Sequence, residues 1–146
     1  MDNIESLIEE HATLRRLASE IGKAIGAQHG VGWDDRTSYE PQSLCMAQQR
    51  FHDELKKHEA REESVIDEML RDREAERVEL EPEIRRAHDS LDGMAALLRT
   101  LSTVCDGTHV YAVRTVAERL NEELQAHLAH EEQVLFPLLR RRRTTV

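Results

Sequence analysis

Aromatic side chains are scarce here, two Phe, two Tyr and one Trp in 146 residues, and no run alternates β-branched with polar residues, which argues against a core built from sheets. Proline (three) and glycine (six) are also few, so little interrupts long stretches of Ala, Leu, Glu and Arg that favour helix. No apolar run approaches the roughly 20 residues that a membrane-spanning helix needs. The two cysteines, Cys45 and Cys105, and the lack of a secretory leader at Met1-Asp2-Asn3 point away from a disulfide framework and toward a reducing cytoplasm. Both thiols are expected to be small buried apolar groups. Excess positive charge is missing too: a formal net charge of −9 sets long-range repulsion against nucleic acid or an anionic membrane as partner and leaves cations welcome.

The length suits one domain with a sizeable core, spanning 1–146. Gln28 to Gln42, with Gly30, Gly32 and Pro41, reads as a loop, as does Ser102 to Thr108 around Asp106-Gly107. The block between them is too long for one helix in a compact domain. The charge-dense patch from Arg71 to Glu81 offers a place to turn, with Pro82 in the first turn of the next helix. These breaks predict an all-α fold, an antiparallel up-down-up-down four-helix bundle with helices at about 2–27, 43–72, 79–101 and 109–140.

Each predicted helix carries an apolar stripe at three- and four-residue spacing, and each stripe is broken in the same way. In the first, Ile4, Leu7, Ile8, Leu14, Leu17, Ala18, Ile21 and Ile25 enclose His11. The second runs Leu44, Phe51, Leu55, His58, Glu62, Val65 and Met69; the third Ile84, His88, Leu91, Ala95, Leu98 and Leu101; the fourth Leu120, Leu124, His127, Glu131, Val134, Leu135 and Leu138. Burying an unpaired imidazole or carboxylate carries a penalty of several kcal/mol, so six such groups facing one interior need a common compensation. A multivalent cation supplies it.

His58 and Glu62 are four residues apart, as are His127 and Glu131, and at about 3.6 residues per turn each pair lies on one helix face. His11 and His88 complete a near two-fold set of four imidazoles and two carboxylates. Imidazole and carboxylate without thiolate suit iron or manganese, and zinc less well; six donors exceed what one tetrahedral zinc uses. With two metals, Glu62 and Glu131 are each able to bridge, and open coordination positions are where a small ligand binds.

These residues resemble the hemerythrin-like, or HHE cation-binding, family. The resemblance rests on His11, on His58-Glu59-Ala60-Arg61-Glu62, on His88, and most specifically on the fourth-helix run His127-Leu128-Ala129-His130-Glu131-Glu132-Gln133-Val134-Leu135-Phe136-Pro137-Leu138-Leu139. It implies a non-haem centre of two iron ions, oxo- or hydroxo-bridged, ahead of manganese or zinc, with His11, His58, Glu62, His88, His127 and Glu131 as ligands. One feature departs from the oxygen-carrying members, which place two His four apart on the third helix: the positions four away from His88 are Ile84 and Asp92. Glu59, which resembles an extra carboxylate of iron-sensing relatives, Asp92 or solvent is expected in place of the missing imidazole.

The function implied is uptake of dioxygen or a related small ligand, for oxygen or iron storage or sensing. The alternative is a di-iron enzyme acting on peroxide or nitric oxide, which a site richer in carboxylate favours, and a third reading is a module whose fold depends on iron. His29, His52, His109 and His130 are expected at the surface or behind the ligands, and Glu63 and Glu132 in solvent or paired with Arg and Lys. Arg140 to Arg143 reads as favourable charge at a helix C-terminus. Trp33 and Tyr39 are candidates to cover one end of the bundle, and Tyr39 and Tyr111 candidates for a phenolate ligand.

Overall fold

The computed structural model describes residues 2–26, 41–104 and 110–144, and every element in them is helical. α1 (Asn3–Gly26) starts on a carboxylate cap, the Glu5 backbone N–H donating to Asp2 Oδ1 at 2.7 Å, which satisfies one of the amides that a helix start leaves without a partner. α2 (Pro41–Met69) carries its proline in the first turn, where no amide is needed. A tight turn, closed by the Arg73 N–H on the Leu70 carbonyl, leads into α3 (Glu74–Val104).

α3 is longer at both ends than the expected 79–101. The charged patch before Pro82 is helical because its charges pair: Arg77 donates to Glu81 one turn on, at 3.0 Å, and reaches back to Asp67 of α2. Pro82 therefore sits inside the helix and not in its first turn. The carbonyl it leaves without a donor belongs to Val78, which is 62% exposed, so solvent reaches the gap. At the other end Ser102 to Val104 continue the helix into the expected loop.

The predicted helix 109–140 is three contiguous pieces. α4 (Val110–His130) passes into a π-helical turn over Glu131–Leu135 and then α5 (Phe136–Thr144). The Phe136 N–H reaches back five residues to the Glu131 carbonyl. Such an inserted residue strains the helix and recurs at functional sites. Most of the expected first loop, with His29, Trp33 and Tyr39, lies outside the described residues, as do Cys105 and His109. Cys45 is exposed, not buried: it stands on the outer side of α2, beside the inward-facing Leu44, Ala47 and Gln48.

Packing pairs α1 with α2, α2 with α3, α3 with α4 and α4 with α1. Two apolar clusters result. One gathers Leu14 to Ile25 of α1 with Leu44 to Leu55, Leu91 to Leu98 and Val113 to Leu128; the other gathers Ile4 and Leu7 with Val65, Ile66, Leu70, Ile84, Leu135, Phe136 and Leu139. The buried imidazoles and carboxylates fall between the two: His11 between Leu7 and Leu14, His58, Glu59 and Glu62 between Leu55 and Val65, His88 between Ile84 and Leu91, Glu131 between Leu128 and Leu135. The apolar clusters thus seal a polar layer from both sides. Among the described residues no helix is long and apolar enough to cross a membrane.

Phe136 is 1% exposed and its ring centroid lies 5.3 Å from that of His11, so it is part of the seal. Phe136→Ala is expected to destabilise the protein by about 3–5 kcal/mol. Chemical denaturation measures this, and a loss below about 1 kcal/mol would contradict the packing described.

Candidate metal centre

Helical spacing delivers one imidazole from each of four helices to the layer, and the carboxylates of Glu62 and Glu131 sit among them. His11 Nε2 is 3.0 Å from Glu131 Oε1, His58 Nε2 3.1 Å from Glu62 Oε2, His88 Nε2 3.2 Å from Glu62 Oε1 and His127 Nε2 3.3 Å from Glu131 Oε2. Two sets of donor atoms follow, each mutually within 4.8 Å: His11, His58, Glu62 and Glu131, and Glu62, His88, His127 and Glu131. The two carboxylates belong to both sets. All six residues predicted from the stripes are brought together, and all but His127 are buried.

These groups fit a cation better than they fit one another. Nε2 of His11, His58 and His127, Glu62 Oε2 and both carboxylate oxygens of Glu131 are buried without a hydrogen-bond partner. Leaving so many buried polar atoms unsatisfied costs about 1–3 kcal/mol each, and cations held by the two donor sets would use all of them. The donor chemistry, imidazole nitrogen with carboxylate oxygen and no sulfur, is that of first-row transition metals.

The electrostatics point the same way. Burial works to deprotonate His58, but the carboxylates of Glu131, Glu62 and Glu10 around it outweigh that and push the imidazole up to about 10. Burial likewise opposes the charge on His88, and Glu62, Glu59 and Glu131 outweigh it, raising its pKa. Glu131 moves in the opposite sense: burial disfavours its charge, while Glu62 and the His11, His127 and His58 imidazoles around it hold it well below the usual carboxylate range. Without a metal, protons held on His58 and His88 answer part of the charge that these carboxylates demand.

The two additional candidates stay outside both donor sets. Asp92 turns to Lys56, whose ammonium donates to Oδ2 at 2.6 Å. Glu59 is buried, 3.9 Å from His88 Nδ1 and 3.7 Å from Lys56, and burial, with Asp92 beside it, pushes its carboxyl up to about 8. Tyr111 is 77% exposed and His130 also lies on the outside, near Glu83. His52 is half-buried beside Phe51 and Leu98, away from the centre.

Four residues behind the candidate ligands lie outside the apolar stripes. Glu132 Oε2 lies 2.7 Å from His11 Nδ1 and is gripped by Arg15 at 2.9 and 3.0 Å; Arg15 holds this carboxyl below its ordinary pKa. Glu10 Oε1 lies 2.9 Å from His58 Nδ1 and is paired with Arg61. The signal was in the sequence: each carboxylate is the chain neighbour of a ligand, and each arginine follows a ligand imidazole by one helical turn. Glu132, expected in solvent or on an arginine, pairs with Arg15 and also faces His11, a contact that was not expected.

A helical domain with a sealed layer of imidazoles around two shared carboxylates is a cation-binding bundle protein. The family model for the hemerythrin HHE cation-binding domain matches residues 2–139, and the chain belongs to that family. No curated protein and no solved structure matches it.

The raised His58 pKa sets a pH dependence. A proton bound more tightly in the folded state stabilises fully below the unfolded value of 6.5 and is lost as pH climbs through about 10. The metal-free chain is therefore expected to lose stability across that window. Metal-loaded protein should instead gain affinity for its cations as pH rises, because the imidazoles must shed protons to ligate. Thermal melts in chelator and metal titrations at several pH values check both trends; a metal-free chain that grows more stable toward pH 10 contradicts the assignment.

Proposed function

We propose that this protein holds two iron ions at this centre and takes up dioxygen or a related small ligand there, in oxygen or iron storage or sensing. The observation that carries the reading is the sharing of Glu62 and Glu131 between two otherwise separate donor sets. Two cations side by side repel, and carboxylates common to both offset that repulsion. Iron is favoured over zinc because four donors drawn from rigid helices on each side leave room in a six-coordinate shell, whereas a structural zinc is satisfied by four.

The arrangement of the apolar clusters supports an antiparallel up-down-up-down bundle. The start of α1 packs with the end of α2, the beginning of α3, the π-helical turn and the start of α5, while its later turns pack with the start of α2, the later part of α3 and with α4. Within this frame the chain's own groups divide the work. His11, His58, His88 and His127 turn Nε2 inward to bind, Glu62 and Glu131 join the two halves, and Leu7, Leu55, Leu128 and Phe136 exclude water from the layer. Iron, when bound, supplies redox chemistry and exchangeable coordination positions.

The enzymatic reading, action on peroxide or nitric oxide, is favoured by one observation. Each donor set has only two imidazoles and the two shared carboxylates, leaving more positions open than a five-imidazole site does. Protein purified from iron-rich cells is expected to contain two irons per chain and to show a visible absorption that changes reversibly between anaerobic and aerated buffer. Gas evolution from peroxide that disappears in His58→Ala would favour the enzyme instead. Fewer than two irons per chain, or a spectrum indifferent to oxygen, peroxide and nitric oxide alike, contradicts both.

A further inference from the structure

The two donor sets are alike in their inner atoms and unlike in what stands behind them. In the first, both imidazoles are backed by carboxylates that arginines hold in place. His11 Nδ1 is 2.7 Å from Glu132 Oε2, Arg15 clamps Glu132 through two guanidinium nitrogens at 2.9 and 3.0 Å, and Arg15 Nε donates to Gln125 Oε1 at 3.1 Å. His58 Nδ1 is 2.9 Å from Glu10 Oε1, with Arg61 on the far oxygen of Glu10.

The second set lacks this backing. His88 Nδ1 is buried without a hydrogen-bond partner, its nearest carboxylates being Glu63 at 3.5 Å and Glu59 at 3.9 Å. Among the described residues, the one ion-pair partner of His127 is Glu131, on Nε2, and its ring meets His88 edge-on. His127 is also the most exposed of the six side chains, at 11%, against 5% or less for the others.

A carboxylate on Nδ1 fixes the N–H there, leaves the Nε2 lone pair aimed inward, and makes that nitrogen a stronger donor. An arginine on the carboxylate keeps it ionised and oriented. Resting on the reading of a two-cation centre, we infer that its halves are unequal: the His11 and His58 half fills first and holds its cation tightly, and the His88 and His127 half fills second and exchanges. Glu132 and Glu10 are the positioning residues that set this order.

Cobalt(II), added to the full-length metal-free chain and followed by visible absorption and calorimetry, tests the inference. Two steps are expected. Glu132→Gln and Glu10→Gln should each weaken the first step about 10- to 100-fold and leave the second unchanged, while Glu63→Gln leaves the first unchanged. Proton NMR of the one-equivalent sample supplies a readout that a mere packing defect does not move. Two exchangeable, paramagnetically shifted imidazole N–H signals should appear with the first equivalent, one of them displaced by Glu132→Gln, and they should persist in His127→Ala. Two tight equivalents that bind without order, or first-step signals lost in His127→Ala, overturn the inequality and leave the two-cation reading standing. Failure of the wild-type chain to take up two equivalents overturns that reading itself.

Discussion

Two carboxylates, Glu62 and Glu131, lie at 0% and 1% exposure in the middle of a helical bundle, and the rest of the structure is arranged around the positive charge they require. Bare, each would carry a desolvation penalty of several kcal/mol. Four imidazoles surround them, and in the absence of metal at least His58 answers by holding a proton far above its ordinary range. Cations bound between the two donor sets would meet the same demand.

Two structural devices put the donors there. Apolar clusters on either side of the layer keep water out, so the attraction between carboxylate and cation acts in a medium of low polarity. The π-helical turn at Glu131–Leu135 does the rest on the last helix. By accommodating one extra residue, it lets Glu131 point to the layer while Leu135, Phe136 and Leu139 still face the second apolar cluster. Its neighbour Glu132 meets His11 from behind, so one local distortion serves both an inner donor and its support.

Much of this was legible in the sequence because a buried polar residue in an apolar stripe is a strong signal when four helices repeat it. His11, His58, Glu62, His88, His127 and Glu131 were all found that way. What failed to show depends on contacts that periodicity does not encode. The helical state of the patch before Pro82 comes from Arg77 pairing with Glu81 and Asp67, which composition reads equally well as a turn. Asp92 shares a face with His88, yet the Lys56 ammonium on the neighbouring helix captures it. Cys45 was assigned inward by residue type, whereas its position on α2 faces out. The π turn was not legible: the stripe placed Val134 and Leu138 inward, whereas the added residue leaves Val134 exposed and buries Phe136 and Leu139 beside Leu135.

The central layer leads us to expect that bound cations stabilise the fold, and one comparison tests this directly: the melting temperature of the iron-loaded chain against the same chain stripped by chelator. Binding at a hundred times the dissociation constant adds about 2.7 kcal/mol, which for a domain of this size raises the midpoint by roughly 5–10 °C. A rise of that order, abolished when Glu62 and Glu131 are both replaced by Gln, is the result expected. Identical midpoints for loaded and stripped protein would mean that these buried carboxylates and imidazoles satisfy one another, and that no cation belongs between them.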